Sequence, residues 1–292
     1  MVDSTARTLK QISRVFKLRI AAAITLCAFA GMALTPGVSL APGQVAVLAF
    51  AVFLSSAGAS AFNQHFEREL DAQMPRTRNR PFVTGEFQAG WLWLTGLGLN
   101  LALAVFVAAW VLNAHAALYI FLGAFVYGAV YTIWLKRRSV WNIVIGGLAG
   151  SFAVLAGAAA ITPDLAPAPI ILALVLFLWT PPHFWSLAIV LHEDYAAAGV
   201  PMLPVVIGDA ATARIILWHT IALVVLSLLP MAFGMGFIYL AGAVAGGGFF
   251  IWRSIELIRD PRPKAARSNF YASFVQLGLL LTAAITDGAL NL

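Results

Sequence analysis

The sequence predicts an all-α integral membrane protein with nine transmembrane helices. Three observations lead to this fold class: only 10% of the 292 residues are charged, the mean hydropathy is +0.89, and long apolar runs recur along the whole chain. A soluble domain has about a quarter of its residues charged, and about twenty apolar residues cross a bilayer as a helix. We therefore interpret residues 1–292 as one polytopic membrane domain.

Nine apolar runs are long enough to be helical spans. We place them at 20–38, 44–66, 88–112, 115–135, 140–161, 167–191, 211–233, 236–256 and 270–290. Because the first run shows no cleavage site, we expect it to be a retained helix and not a signal peptide.

The basic residues alternate from one connector to the next. All 18 Lys and Arg residues fall in 1–19, 67–87, 136–138, 192–214 and 253–267. Since Lys and Arg favour cytoplasmic connectors, we expect a cytoplasmic N-terminal segment (1–19) and an outside C-terminus, in a bacterial cytoplasmic membrane. Membrane topology also explains the net charge of +6, so we expect no nucleic-acid partner. Cys27 is the only cysteine, which excludes an intrachain disulfide and a cysteine-cluster metal site.

The connector after the second span holds a pattern of oxygen ligands. Asn63, Glu67 and Asp71 stand at i, i+4 and i+8, so on a continuing helix they share one face, until Pro75 interrupts it. Two carboxylates and an amide suit Mg²⁺, which binds one or two carboxylates together with substrate phosphates. The following arginines suit the remaining phosphate oxygens. A solvated loop marked by arginine for its cytoplasmic side is the alternative, and spacing alone does not decide between them.

Other charged connectors should meet the first at the same membrane face. Glu193 and Asp194 follow the sixth span, and Lys136 and Arg137 follow the fourth, with Tyr131 one turn earlier. Facing acidic groups could hold Mg²⁺ and a diphosphate between them. The positive-inside rule explains the basic residues equally well, and Tyr131 could be an interface anchor.

Charge is almost absent inside the spans, which argues against an ion-coupled transporter and favours an apolar chamber for an isoprenoid chain. Small residues cluster at 55–60, 146–151 and 242–248, where we expect close helix packing.

Five stretches carry a resemblance to a known family. The first, Asn63-x-x-x-Glu67-x-x-x-Asp71-x-x-Met74-x-Arg76-Thr77-x-x-Arg80-Pro81, resembles the first motif of UbiA-type intramembrane prenyltransferases, in the form found in their haem-farnesylating branch. The others are Tyr131-Thr-x-x-Leu-Lys-Arg-Arg138, Asn142-Ile-Val-Ile-Gly-Gly147, Trp179-Thr-Pro-Pro-His-Phe-Trp185 and Asp194-Tyr-Ala-Ala-Ala-Gly-Val-Pro-Met-Leu-Pro-Val205.

This resemblance implies nine helices around a central cavity and a Mg²⁺-dependent transfer of a prenyl group from a diphosphate. In the haem branch the donor is farnesyl diphosphate, the acceptor is a vinyl group of haem B (protohaem IX), and the product is haem O for terminal oxidases. Haem A synthase or oxidase assembly proteins are the implied protein partners. Alternatives are a related enzyme acting on a quinone precursor or another lipid, and a non-catalytic transporter or oxidase assembly factor.

By motif match, the resemblance assigns Asn63, Glu67 and Asp71 to the first acidic cluster, Glu193 and Asp194 to the second, and Lys136 to the connector that contacts diphosphate. Together with the residues that spacing and position single out, the predicted site has eleven residues. The catalytic set is Asn63, Glu67, Asp71, Glu193, Asp194 and His183, the metal ligands are Glu67, Asp71 and Asp194, and the diphosphate partners are Arg76, Arg80, Tyr131, Lys136 and Arg137.

The chain also departs from the family pattern. It has Lys17-Leu18-Arg19 where the family often has Lys-Pro-Arg, Ser151–Gly157 lacks the usual prolines, and Leu191-His192 stands where basic residues are expected before Glu193. The last departure leaves open how the second motif contacts phosphate.

His183 precedes Asp194 by eleven residues, close to three helical turns. On an unbroken helix it would lie below the diphosphate, where it could bind haem iron, hydrogen-bond a propionate or accept a proton from water. A buried histidine hydrogen-bonded to a neighbouring helix is the alternative, and Pro181-Pro182 could rotate it off this face.

Overall fold

The computed structural model describes the backbone of residues 2–290 and the side chains of residues 9–290, and in that range the chain is all-helical with no strand. The α-helices are α1 (Val2–Phe16), α2 (Leu18–Ala33), α3 (Pro42–Phe66), α4 (Arg68–Ala72), α5 (Pro81–Thr84), α6 (Trp91–Val111), α7 (Ala114–Phe125), α8 (Asn142–Gly146), α9 (Leu148–Ile161), α10 (Pro167–Val190), α11 (His192–Ala197), α12 (Leu203–Ile207), α13 (Asp209–Leu228), α14 (Phe237–Arg259) and α15 (Pro263–Leu290). A π-helical segment, Val126–Leu135, continues α7, and a 3₁₀ turn, Leu229–Phe233, continues α13.

The described residues contain eight helices that are long and apolar enough to cross a membrane, and a bent pair supplies the ninth span. The pair joins Leu9–Phe16 to Leu18–Ala33 at an angle of 47°. The predicted fold class is therefore confirmed, although the first span lies earlier than the predicted 20–38. Helix α2 ends before Pro36, whose ring disfavours helical geometry in the residue before it.

Two spans end in the same way. Helix α3 is interrupted at Glu67 and continues as the short α4, and α10 is interrupted at Leu191 and continues as α11. The unbroken helix considered for His183 and Asp194 is therefore absent. Hydrogen bonds cross both interruptions: Asp71 N donates to Glu67 O at 2.8 Å, and Tyr195 N donates to Leu191 O at 3.0 Å. Each short helix therefore follows its span directly, with no loop between them.

The π-helical segment changes which side chains share a face. Lys136 N donates to Tyr131 O at 3.0 Å, and Thr132 Oγ1 bonds to Tyr127 O at 2.8 Å, both with a separation of five residues. At 3.6 residues per turn Tyr127 and Lys136 would lie about 180° apart. The wider π-turn brings them back to one face, an arrangement that often marks a functional site.

Glycines set the closest helix contacts. A Cβ on Gly157 would lie 1.8 Å from Ala28 O, and one on Gly31 would lie 2.0 Å from Val154 O, so α2 and α9 meet backbone to backbone. The predicted small-residue clusters also make close contacts. A Cβ would come within 3.0 Å of a neighbouring helix at Gly58, Gly146, Gly147, Gly242, Gly246 and Gly247.

The charged connectors gather at one end of the bundle, which we call the charged face (residues 67–90, 136–141, 191–208 and 260–262). An apolar cluster that includes Leu70, Met74 and Tyr195 packs the first and third of these connectors together. At the opposite end, the buried Asp287 accepts hydrogen bonds from Gly236 N at 2.6 Å and Tyr239 N at 3.3 Å. A carboxylate from α15 thus caps the first turn of α14.

Candidate active site

Three polar side chains of the first connector are almost completely buried at the charged face. Asn63, Glu67 and Asp71 are 3%, 1% and 2% exposed. Glu67 N donates to Asn63 O at 2.9 Å, and the same pattern repeats from Asp71 to Glu67, so the i, i+4, i+8 register survives the interruption. The sequence-predicted carboxylate face is therefore present and points into the protein.

Each buried carboxylate has a cation beside it. Lys136 Nζ lies 2.5 Å from Glu67 Oε2, and Arg80 Nη1 lies 2.6 Å from Asp71 Oδ2. Both cations are largely buried, with side-chain exposures of 14% and 18%. Buried carboxylates need such partners because an isolated charge is very costly away from water. The structure thus brings together four of the residues that the sequence indicated.

Asn63 joins the first connector to the π-helical segment. Its Nδ2 donates to Thr132 Oγ1 at 3.1 Å, and its Oδ1 lies 3.5 Å from Lys17 Nζ. Lys17 Nζ also lies 3.4 Å from the hydroxyl of Tyr127, which stacks on Tyr131. Lys136 Nζ stands 5.8 Å from the Tyr131 ring centroid. Two tyrosine rings therefore line the site beside its cations.

Tyr195 connects the third charged connector to the same site. Burial raises the pKa of Tyr195, and the charges of Arg76 and Glu67 act on its hydroxyl in opposite directions. The hydroxyl therefore stays protonated at neutral pH and can donate a hydrogen bond.

Not every predicted residue reaches the centre. Arg137 and Glu193 are exposed, and Asp194 is half-buried. Arg76 is also exposed, but it hydrogen-bonds the Tyr195 hydroxyl at the edge of the site. Within residues 9–290 no three His, Cys, Asp or Glu side chains are close enough to hold one metal ion. The roles proposed for these four residues stay predictions.

His192 has a structural role in the place where basic residues were expected. Its Nδ1 lies 2.8 Å from Asp209 Oδ1, at the first turn of α13. This contact fixes α11 to the start of α13 and so holds the connector that carries Asp194.

The carboxylate oxygens at this site suit a hard divalent cation as ligands. Glu67 Oε1 is buried and has no hydrogen-bond partner within the described part of the chain. Asp71 supplies a second buried carboxylate one turn away, and carboxylate oxygens are preferred ligands of Mg²⁺. An unpaired buried oxygen is costly unless something binds it, so Glu67 Oε1 suits a metal ligand.

His183 lies in an aromatic box formed by α10 and α15. Its ring stacks between Trp179 at 4.3 Å and Phe270 at 4.6 Å, and Phe274 meets it edge-on at 4.7 Å. Its Nδ1 lies 2.7 Å from Ser273 Oγ. These contacts are those of the alternative we considered, a buried histidine hydrogen-bonded to a neighbouring helix. They do not test a role in chemistry.

Sequence reasoning missed three residues of this site: Lys17, Tyr127 and Thr132. Tyr127 and Thr132 required the π-helical hydrogen bonding, which the apolar run does not reveal. Lys17 had a signal in Lys17-Leu18-Arg19, which we noted only as a departure from the Lys-Pro-Arg that the family often has.

Comparison with protein families confirms the family resemblance. The model of the UbiA prenyltransferase family matches residues 24–278. "Protoheme IX farnesyltransferase 2" of Paramagnetospirillum magneticum (strain ATCC 700264 / AMB-1) is 59% identical over 96% of this chain and 97% of its own length. "Protoheme IX farnesyltransferase 1" of Cenarchaeum symbiosum (strain A) is 41% identical over 98% of this chain and 97% of its own length.

Solved structures share the fold at low sequence identity. A digeranylgeranylglyceryl phosphate synthase aligns with a TM-score of 0.79 at 18% identity, covering 97% of this chain and 99% of its own. A UbiA homologue from Archaeoglobus fulgidus, bound to DMAPP and Mg²⁺, aligns with a TM-score of 0.70 at 16% identity, covering 94% and 99%. These likenesses establish the arrangement of the helices.

Proposed function

The chain belongs to the UbiA prenyltransferase family, and we propose that it transfers a farnesyl group from farnesyl diphosphate to a vinyl group of protohaem IX, giving haem O. One observation carries the choice of substrates: the relative that is 59% identical over nearly the full length of both chains is named protoheme IX farnesyltransferase. The buried carboxylates with adjacent cations support the reaction class, because this set of groups suits a metal-bound diphosphate.

Glu67 and Asp71 are the proposed ligands of Mg²⁺, with Asp194 approaching from the second acidic connector and Glu193 beside it. When bound, Mg²⁺ would neutralise charge on the leaving diphosphate. The orphaned oxygen of Glu67 supports this assignment, and so does the Mg²⁺ bound by the A. fulgidus homologue.

The cations of the site are proposed to bind the diphosphate oxygens. Lys136 and Arg80 touch the carboxylates directly, so they can contact a diphosphate held at the same place. Fixed cations aimed at the leaving group stabilise charge as it develops in the transition state. Arg76 and Arg137, from the connectors, and the Tyr131 hydroxyl, from the π-helical segment, are the proposed outer partners.

Asn63 is proposed to position these carboxylates and cations through its contacts with two other parts of the chain. Its amide donates to Thr132 on the π-helical segment and its oxygen faces Lys17. Loss of this amide should shift the π-helical segment, and with it Lys136, relative to Glu67.

His183 is the proposed residue on the acceptor side. It lies about three turns before the second acidic connector, inside the aromatic box of α10 and α15. Whether His183 contacts haem iron, a propionate or the water that captures the porphyrin-side cation is left open.

The same proposal includes an orientation in the membrane. The chain is an integral membrane protein, and we place the charged face and the N-terminus in the cytoplasm and the C-terminus outside. The complete Lys/Arg asymmetry of the connectors supports this orientation.

Extraction of haem from cells tests the function directly. A host without its own haem O should accumulate a farnesylated haem when it expresses this chain, and none when it expresses the Asp71→Ala variant at the same membrane level. Farnesyl transfer to another acceptor in a labelled-donor assay, with no farnesylated haem, would instead indicate a related prenyltransferase. Absence of any prenylated product from a membrane-inserted chain would favour a transporter or an assembly factor.

A further inference from the structure

Lys17 has an unusual backbone at the break between α1 and α2. Its φ and ψ are 46° and 50°, and it is the one non-glycine residue with positive φ in the described range 2–290. A left-handed conformation is unfavourable for a residue with a Cβ and persists only where the surroundings impose it.

Contacts on α1 impose this bend. Gln64 Nε2 donates to Arg14 O at 2.8 Å and to Val15 O at 2.9 Å, which fixes the last turn of α1 to the end of α3. Arg14 Nη2 contacts Asn79 O at 3.4 Å, on the first charged connector. The start of α2 is thereby turned so that Lys17 extends toward Asn63.

The Lys17 ammonium has poor partners for a buried charge. Its two contacts, Asn63 Oδ1 at 3.5 Å and the Tyr127 hydroxyl at 3.4 Å, are long and neutral. No carboxylate among the described side chains lies within salt-bridge distance of it, whereas Lys136 and Arg80 each have one. An ammonium donates three hydrogen bonds and is costly to bury without an anion.

Charges of both signs surround Lys17 beyond its direct contacts. Arg80 and Arg76 repel the ammonium, while Glu67 and Asp71 attract it from beyond contact distance. Several cations held close together around a few buried acids create a positive field that an added anion relieves. The geometry therefore has capacity for more negative charge than the chain itself supplies.

We propose that Lys17 is a third cation of the diphosphate site, contributed by the bend between α1 and α2, and that it binds a diphosphate oxygen directly. This inference rests on the proposed function only in taking a diphosphate as the ligand; it does not depend on the acceptor. The bend is the device that brings a residue of the N-terminal segment beside Asn63 and Tyr127.

Titration of inorganic diphosphate with Mg²⁺ into the purified, full-length protein tests the inference without any acceptor. Lys17→Met should weaken diphosphate binding about tenfold, the loss of one charged hydrogen bond. Lys17→Arg, which keeps the charge and the donors, should recover most of this loss. Arg19→Met is the matched control, because Arg19 is basic, two residues away and exposed, and it should bind diphosphate like the parent.

Lys17→Gly separates the side chain from the backbone, because glycine adopts positive φ freely. If the ammonium binds diphosphate, the Gly and Met variants should be equally weak while neither melts well below the parent, because both remove a poorly paired charge and glycine also relieves the strain of positive φ. Parent-like binding by the Gly variant would overturn the proposal, since the bend alone would then suffice. Parent-like binding by the Met variant, or absence of diphosphate binding by the parent, would overturn it as well.

An error in the proposed function would be distinguished from an error in the role of Lys17 by a different combination of results. A parent protein that binds diphosphate through Lys17 and yet makes no farnesylated haem would remove the haem assignment and leave the role of Lys17 intact.

Discussion

The buried pair of Glu67 and Lys136 allows a double-mutant cycle that separates stability from chemistry. Glu67→Gln leaves the Lys136 ammonium without its carboxylate, and Lys136→Met leaves both Glu67 oxygens unpaired, since Oε1 already has no partner. The double variant removes both charges together. Comparing the four proteins gives the coupling between the two side chains.

The structure sets the expected size of each change. At 2.5 Å and an effective dielectric constant of about 20, the gross Coulomb attraction is about 7 kcal/mol. Desolvation offsets most of it, and removing one partner of a buried pair costs about 3–5 kcal/mol. Lys136 is 14% exposed, so we expect a loss near 3 kcal/mol for each single variant and a coupling of about 2 kcal/mol in the double variant.

Activity should follow another pattern. If Glu67 binds the metal and Lys136 the diphosphate, the double variant should lose about 4 kcal/mol of stability, against about 6 kcal/mol for two independent losses, and it should stay inactive. The assay pairs the melting temperature of each detergent-purified protein with the turnover of labelled farnesyl diphosphate. Recovered turnover in the double variant would refute the reasoning, because the pair would then serve only to hold α3 and the π-helical segment together.

Three further predictions use other regions. Single cysteines introduced at Ser139 and Ala166, in a Cys-free background, should label from opposite sides of the membrane; labelling from one side would mean that a span had been miscounted. His183→Ala should lower turnover with haem about tenfold, roughly one lost hydrogen bond, while farnesyl diphosphate affinity stays normal; loss of both, or of neither, would contradict an acceptor-side role. Gly157→Ala should destabilise the protein by about 1–3 kcal/mol, because its Cβ would meet a backbone oxygen of α2, whereas Gly248→Ala, with nothing within 4 Å, should be neutral or slightly stabilising in a thermal melt.

Local properties of the sequence were enough to predict the membrane fold and the centre of the site. Helical spans follow from the length of apolar runs, since a backbone in lipid must satisfy its own hydrogen bonds. The i, i+4, i+8 spacing placed Asn63, Glu67 and Asp71 on one face, because hydrogen bonds on both sides of Glu67 preserve helical register. Both features depend on neighbours within a few residues.

Tertiary structure alone decided which charges meet. Glu67 pairs with Lys136 across 69 positions of sequence, and Lys17 reaches Tyr127 across 110. No local period encodes such pairings, because they depend on how the end of α3 and the bend between α1 and α2 lie against the π-helical segment.

The sequence also did not predict the hydrogen-bonding pattern of the π-helical segment. An apolar run favours a helix but does not choose between i→i+4 and i→i+5 hydrogen bonds, and that choice moves Lys136 from the far face to the face of Tyr127. The composition of the chain determined that it lies in a membrane, and the spacing of Asn63, Glu67 and Asp71 placed an acidic cluster at the end of one span. Packing between helices determined which cations serve that site, because helix contacts, and not sequence spacing, set the distances between side chains on different spans.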